Sequence, residues 1–261
     1  MIYDINGRPL TAENTFFENI QLDYDFDSPS GTFYTAIRVF KKRTDGRYQY
    51  PFTRQPTPTG TMSAYDLASS EGWYLTINGG IGQGLVIQNS TVLVDTAAAV
   101  HAGAMPLTID SNGDLGYVEA DTTGKGADIV ASGVVSAVCG FFPIIVDYED
   151  FAYPTDIPGT DTESWNHAQR QIIGQFDNGD YCIITGEGRD FAGSVGFSIT
   201  EAQTVCKNLG LKFAYNLDGG GSTQTVLGTK NINHVYEGTT GRNIECYIVF
   251  NGLNTYNIPN A

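Results

Sequence analysis

Between Trp73 and Asp150 the apolar residues arrive in short runs, each closed within a few positions by glycine or a polar turn residue. Six of these runs read as strands: Trp73–Ile77, Leu85–Gln88, Val92–Val94, Leu107–Ile109, Leu115–Val118 and Val134–Val138. They are too short for helices, which need about ten or more residues of sustained 3.6-residue periodicity. Further strands are expected at Phe33–Phe40, Gln171–Phe176, Tyr181–Thr185, Phe213–Leu217, Thr223–Leu227 and Glu245–Phe250. Glycine makes up 31 of the 261 residues without a three-residue period, which excludes a collagen-like chain and leaves tight turns as its use. Asp110-Ser111-Asn112-Gly113-Asp114 is such a turn. It lacks the glycine and glutamate spacing of a calcium loop, and Asn112-Gly113 is a strong hairpin signal. The fold class that follows is α+β: one domain with a mostly antiparallel multi-stranded sheet and a few short helices. No composition break divides the chain. Residues 1–60, polar and acidic at their start, read as an N-terminal arm or peripheral strands, and residues 61–261 as the main body.

Acidic residues outnumber basic ones by 29 to 14, a formal charge of −15. Such a chain is repelled by nucleic-acid phosphates and by anionic membrane surfaces, so neither is an expected partner. An anionic ligand would need particular arginines and backbone amides. The one basic cluster, Lys41-Lys42-Arg43-Thr44-Asp45-Gly46-Arg47, reads as a solvated hairpin tip. The first residues show no basic segment followed by an apolar run, so no signal peptide is expected, and no stretch approaches a membrane span. Cys139, Cys182, Cys206 and Cys246 are widely spaced in apolar segments and read as small core residues, with no zinc spacing. Gln55–Gly60 and residues 151–168 are loops by their prolines and glycines, and the second is long enough to suggest a functional role.

Two stretches echo each other. Ser63-Ala64-Tyr65-Asp66 opens a helical run that stops before Gly72, and the strand after it delivers Asn78-Gly79-Gly80. Ser198-Ile199-Thr200-Glu201 opens a helix expected from about Thr200 to Leu209, which stops at Gly210; its strand delivers Asp218-Gly219-Gly220-Gly221. Each start has the hydroxyl and carboxylate spacing of a capping box or a near variant. Each stop has a glycine suited to the left-handed C′ position. The pattern predicts two helix–strand units whose strand ends converge on one site.

Three glycines after a buried strand cost conformational entropy, so the backbone there must need a positive φ or a close approach. Consecutive free N–H groups in such a turn make a concave anion site. Gly219, Gly220, Gly221 and the Ser222 hydroxyl are therefore candidate substrate ligands, and Asp218 is the candidate general acid or base, nucleophile or metal ligand. The plain alternative is a tight turn whose aspartate bonds its own backbone. Asn78, Gly79 and Gly80 could present an amide to a sugar hydroxyl or a phosphate oxygen. Arg170 and Arg189 are candidate phosphate clamps or ordinary surface arginines. Glu187 is a candidate second carboxylate beside Asp218. His167 is either a proton carrier or an exposed loop residue, and His101 and His234 have no informative neighbours.

Taken together and in order, these residues resemble the phosphodiester glycosidase domain, the family of the mannose-6-phosphate uncovering enzyme. The resemblance runs from about Ser63 to Phe250. Asn78-Gly79-Gly80 is similar to the family's first motif, and Gly84–Ile87 and the Leu107–Gly116 hairpin to the strands after it. Arg170 with Ile172-Ile173-Gly174, Gly188-Arg189 and Gly196 to Glu201 are similar to later elements. Leu217–Ser222 is similar to the most diagnostic motif, and Arg242 to the late arginine before the last strand. Two positions depart from the pattern: Ile81-Gly82 where aromatic residues usually follow, and Glu187 where aspartate is commoner. The resemblance implies a hydrolase of glycosyl phosphodiesters, with Asp218, Glu187 and Arg170 catalytic and Asn78–Gly80, Arg189 and Gly219–Ser222 binding substrate. The alternative is a carbohydrate-binding or structural module that keeps the fold without turnover. No cofactor is implied beyond a calcium ion that Asp218 could help hold. The first 60 residues resemble modules attached to tail proteins of phages of Gram-positive bacteria. That implies a teichoic-acid-like or other cell-wall polysaccharide substrate, a place in the virion tail or a homo-oligomer, and otherwise a cytoplasmic location.

Overall fold

Short strands, the central ones buried on both faces, build this molecule, and among the described residues they form three large sheets beside one two-stranded pair. The structure is a computed structural model that describes residues 2–3, 9–10, 19–44, 46–56, 60–96, 103–119, 122–152, 166–189 and 191–250. The expected loop residues 57–59, most of the 151–168 loop and His101 lie outside the described residues.

Among the described residues the strands run, in chain order, β1 (Ile2–Tyr3), β2 (Pro9–Leu10), β3 (Ile20–Asp27), β4 (Thr32–Val39), β5 (Pro51–Arg54), β6 (Leu75–Asn78), β7 (Leu85–Gln88), β8 (Thr91–Asp95), β9 (Leu107–Asp110) and β10 (Leu115–Tyr117). They continue with β11 (Val134–Val138), β12 (Phe142–Val146), β13 (Glu149–Asp150), β14 (Arg170–Gln175), β15 (Tyr181–Gly186), β16 (Phe213–Asn216), β17 (Thr225–Leu227), β18 (Lys230–Asn231) and β19 (Tyr247–Phe250). Three helices, α1 (Ala64–Glu71), α2 (Gly126–Ala131) and α3 (Ile199–Asn208), complete the elements. Beyond the β1–β2 pair, the strand order is β13-β12-β16-β14-β15-β4-β3 in a seven-stranded sheet, β18-β17-β6-β19-β5 in one five-stranded sheet and β10-β9-β11-β7-β8 in the other. Neighbours in all of them pair antiparallel, so the chain is α+β as its pattern implies. β4 has a partner on each side, whereas β3 and β5 are sheet edges.

Alternate residues of one strand point to opposite faces, and here each face has its own core. Ile37, Ile173, Ile183 and Tyr215 of the large sheet meet Leu75, Ile77, Ile248 and Phe250 of the second and Val86, Leu107 and Val138 of the third in one central cluster. The intervening residues face outward under a helix. Ile172, Ile184 and Ala214 pack with Ala202, Val205 and Cys206 of α3. Val226, Tyr247 and Val249 pack with Ala64, Leu67 and Ala68 of α1. Leu85, Ile87 and Ala137 pack with Ile129 and Val130 of α2. Burying each Ile, Leu or Val contributes about 1.5–3 kcal/mol, so both faces of every sheet matter to stability.

The two echoing helices form as their ends dictate. Ser63 Oγ accepts the Asp66 N–H at 3.1 Å, and Gly72 ends α1 at φ 76°. Ser198 and Glu201 make a full capping box, and Gly210 follows α3 at φ 80°. The Asp110–Asp114 turn is the expected hairpin: Asp110 Oδ1 accepts the N–H of Asn112 and of Asp114, each at 2.8 Å. The basic turn is less solvated than expected. Arg43 is buried, and Lys41 Nζ lies 2.7 Å from Asp114 Oδ1, because the turn folds back on the Asp110 hairpin. All four cysteines are buried free thiols. Among the described residues no helix is long and apolar enough to cross a membrane.

Candidate active site

The end of β6 in one sheet and the end of β16 in another meet, as the echo predicts. Asn78, fully buried, donates from Nδ2 to the Asp218 carbonyl at 2.6 Å and accepts the Gln224 N–H on Oδ1 at 2.9 Å. The Asp218 N–H in turn donates to the Gly79 carbonyl at 3.1 Å. Beneath this junction the core changes from apolar to polar. Thr185 Oγ1 and Thr225 Oγ1 are 2.7 Å apart, and Gln171 Oε1 accepts from Thr225 Oγ1 at 3.1 Å. Buried hydrogen bonds of this kind are directional and so fix the register of the sheets against each other.

The first motif is sealed. A Cβ on Gly80 would lie 1.9 Å from the Cys139 carbonyl oxygen, and one on Gly79 would lie 3.2 Å from that of Cys246. Its glycines serve backbone packing, and both ends of the Asn78 amide are committed to the second motif. Asn78 is therefore a staple between motifs, in place of the substrate-facing amide that its sequence context suggests.

The second motif is open on one side. Asp218, Gly219 and Gly220 are partly exposed, and Gly220–Ser222 form a single 3-10 turn with Gly220 at φ 56°. The expected run of free amides is not what forms. Gly219 N–H donates to Asp218 Oδ1 at 2.9 Å, Gly220 N–H to the Gln169 carbonyl at 2.9 Å, and Ser222 N–H to the Gly219 carbonyl at 3.1 Å. The missing side chains have a different use. A Cβ on Gly219 would lie 2.7 Å from the Gln169 carbonyl oxygen. A Cβ on Gly220 would lie 3.2 Å from Arg189 Nη2, and one on Gly221 would lie 2.8 Å from Arg242 Nη2. Two guanidinium groups thus lie against two successive glycines of the turn that Asp218 opens.

One loop holds both arginines. Tyr236 lies under Arg189, with the guanidinium carbon 4.1 Å from the ring centre. Arg242 donates from Nε and Nη2 to Glu237 Oε1. Arg189 has φ 56°, a left-handed backbone that a non-glycine residue adopts only where its surroundings hold it. The loop is pinned at both ends: Asn233 Nδ2 donates to the Thr223 carbonyl at 3.0 Å, and the Arg242 carbonyl accepts from Gln224 Nε2 at 2.9 Å. His234 stacks on Phe191 with ring centres 4.2 Å apart.

Glu187 and Arg170 lie behind this surface. Glu187 is 1 % exposed and accepts the His234 N–H at 3.0 Å. Burial pushes its carboxyl up to about 7, opposed by the His234 N–H and the Gln169 side chain. Arg170 is 4 % exposed; it donates from Nε to the Phe197 carbonyl at 3.0 Å and from Nη2 to the Asn166 carbonyl at 2.7 Å. Desolvation lowers its pKa to about 10. As the first residue of β14 it shares a face with Ile172, which belongs to the α3 cluster, so it ties neighbouring chain segments together. His167 pairs with Glu201 at the start of α3, 3.0 Å away.

The sequence-derived set is thus only partly assembled. Asp218, Gly219–Ser222 and Arg189 come together; Asn78–Gly80, Glu187 and Arg170 support them from the interior. Tyr236, Glu237 and His234 had no signal in the sequence, and Arg242 was marked only by its place before the last strand. Among the described residues no group of three or more His, Cys, Asp or Glu side chains could hold a metal ion.

Three comparisons place this geometry among known proteins. The zebrafish N-acetylglucosamine-1-phosphodiester alpha-N-acetylglucosaminidase catalytic domain, auto-inhibited by its pro-peptide, superposes with a TM-score of 0.64 at 17 % identity, over 89 % of this chain and 82 % of that one. A hypothetical protein from Synechocystis superposes with a TM-score of 0.66 at 14 % identity, over 89 % and 62 %. At these identities the likeness is one of fold. The SPbeta prophage-derived uncharacterized protein YomE of Bacillus subtilis (strain 168) is 26 % identical over 263 residues, which cover 90 % of this chain and 38 % of that one, so this chain spans well under half of that relative. The phosphodiester glycosidase family model matches residues 64–251, from the first residue of α1 to one residue past β19, and the chain belongs to the phosphodiester glycosidase family.

Proposed function

We propose that the chain hydrolyses a glycosyl phosphodiester, adding water across one of its ester bonds to release a sugar and a phosphomonoester, or a sugar phosphate and an alcohol. One observation carries the reading: the Arg189 and Arg242 guanidinium groups lie against Gly220 and Gly221, in the turn that Asp218 opens. Paired guanidinium groups match the geometry of phosphate oxygens and neutralise charge that grows as the ester bond breaks. In a chain of net charge −15 the two guanidinium groups are the positive charge at this site that an anion would seek. Asp218 moves the proton or makes the attack. Glu187, buried beneath His234, acts through the backbone it holds and is a positioning residue.

The prophage relative supports a phage setting, in which a teichoic-acid-like cell-wall polymer is the substrate. A second reading, a binding or structural tail module with the same fold, draws on one fact: Asp218 Oδ1 and three amides of the turn already have partners within the chain.

A panel of glycosyl phosphodiesters, assayed for released sugar and phosphomonoester, separates the two. Wild type turns over at least one of them, and Asp218→Asn loses about 10²–10⁴-fold in kcat with an unchanged unfolding midpoint. Full activity in Asp218→Asn removes that residue from the chemistry. Tight binding without turnover in the wild type favours the module.

A further inference from the structure

We propose that Glu237 is a built-in competitor for the anion at this site: its carboxylate occupies Arg242 where the ligand's phosphate binds, and the ligand enters by exchanging one oxyanion for another. The inference rests on the phosphate-binding reading above and adds to it the residue that competes with the phosphate.

Four observations carry it. First, a single oxygen, Glu237 Oε1, accepts from both Nε and Nη2 of Arg242, which is the edge of the guanidinium that a phosphate oxygen would take. Second, the Arg242 and Arg189 guanidinium groups lie against adjacent glycines, so two like charges share one small surface and require an anion near them. Glu237 supplies one negative charge to this surface, and the Asp218 carboxylate at the start of the turn supplies another. The other arginine is held by the Tyr236 ring, which adds no formal charge. Third, the ion pair is open to solvent, with side chains 38 % and 48 % exposed, so it can be broken without unfolding anything. Fourth, the loop is pinned at Asn233 and at the Arg242 carbonyl while residues 236–239 stand exposed between, so the Glu237 side chain can swing away with the backbone in place.

The exchange has a chemical consequence. A phosphodiester monoanion replaces a carboxylate monoanion one for one, so binding costs little in local charge. A neutral sugar has nothing to offer Arg242 and leaves Glu237 where it is. Glu237 therefore lowers the affinity for every anion and is not displaced by an uncharged ligand, and Tyr236 beside it presents a half-exposed ring on which a sugar can stack.

The test uses inorganic phosphate as the probe, titrated at low salt into wild type, Glu237→Gln and Arg242→Gln and followed by calorimetry. Glu237→Gln keeps the size and removes the charge. It is expected to bind phosphate about fivefold tighter than wild type, the scale of an exposed ion pair. Arg242→Gln is expected to bind at least about tenfold more weakly. Equal or weaker binding by Glu237→Gln, with wild type still binding, overturns the competition while leaving the arginine site standing, and makes Glu237 a positioning partner of Arg242. Failure of all three proteins to bind phosphate overturns the two-arginine site and this inference with it.

Discussion

The two helix–strand units are built alike as far as the last residue of their strands and differ in what stands opposite their glycines. After β6, Gly79 and Gly80 face other stretches of backbone, the Cys246 and Cys139 carbonyls, and the turn is buried. After β16, Gly220 and Gly221 face the ends of two long cationic side chains, and the turn is partly open. The same local device, a backbone without side chains, lets sheets close in one copy and lets charge approach in the other. Asn78 and Asp218 differ in the same way. The Asn78 amide is spent on main-chain groups, whereas Asp218, with the same short reach, stays at a partly exposed rim.

The sharpest way to break this contrast is Gly80→Ala. Its Cβ would sit 1.9 Å from a carbonyl oxygen that belongs to the central part of the fold, and backbone there cannot yield cheaply. Gly80 is not in the left-handed region, so strain in φ does not confuse the result. We expect a loss of about 4 kcal/mol or more, read as failure to accumulate folded protein or as a large drop in the urea midpoint. A loss under about 1 kcal/mol would mean that the first motif is as loose as the second.

Much of this contrast was written in the chain, though not the part that decides chemistry. The helix starts at Ser63 and Ser198, the stops at Gly72 and Gly210 and the Asn112-Gly113 hairpin are local, and each formed where its residues implied. β12 carries no clear strand signal: Pro143 cannot donate to a ladder, and it survives because the register shifts between Pro143 and Ile145. The glycine run of Gly219–Gly221 singled out the turn against which two guanidinium groups lie, but the reason for it lay elsewhere. Whether an arginine clamps a phosphate depends on the face it occupies. Arg170 falls on the helix-covered face by strand parity, while Arg242 arrives from a loop with no periodicity to read. The pairing of Glu237 with Arg242, and of Tyr236 with Arg189, is a matter of loop geometry that spacing alone does not encode.

A second test concerns the support behind the open motif, which has no counterpart in the sealed one. Glu187 has its folded pKa raised by burial to about 7 from 4.5. The protonated form is therefore favoured in the native state. Its contribution to stability is full below the unfolded value and is lost as pH rises through the folded one. Between about pH 5 and pH 8 this costs wild type about 3 kcal/mol relative to Glu187→Gln, whose side chain mimics the protonated acid. Urea unfolding of both proteins across that range should give curves that lie close together in acid and diverge toward pH 8, with the variant more stable. Parallel curves, or divergence of the opposite sign, would place a charged carboxylate at this position and return Glu187 to the list of groups that could work beside Asp218.

Gly221→Ala is the gentlest perturbation and the one that separates the two copies most cleanly. The new Cβ would lie 2.8 Å from Arg242 Nη2 and 3.0 Å from its guanidinium carbon, the far end of a flexible side chain that is 38 % exposed. That group can swing into solvent, so the fold should lose no more than about 1 kcal/mol, measured by urea denaturation beside Gly80→Ala. Moving the guanidinium away from the turn also removes a charge-assisted partner of the phosphate, and affinity for inorganic phosphate should fall by about tenfold. The pair of variants then sorts the glycines by function: one alanine costs the fold and the other costs the ligand. If Gly221→Ala unfolds the protein as Gly80→Ala does, the second turn is a packing element like the first, and the guanidinium groups above it are held for stability. If it leaves both stability and phosphate affinity unchanged, Arg242 lies close to Gly221 without using that approach, and the anion site must be built on Arg189 alone.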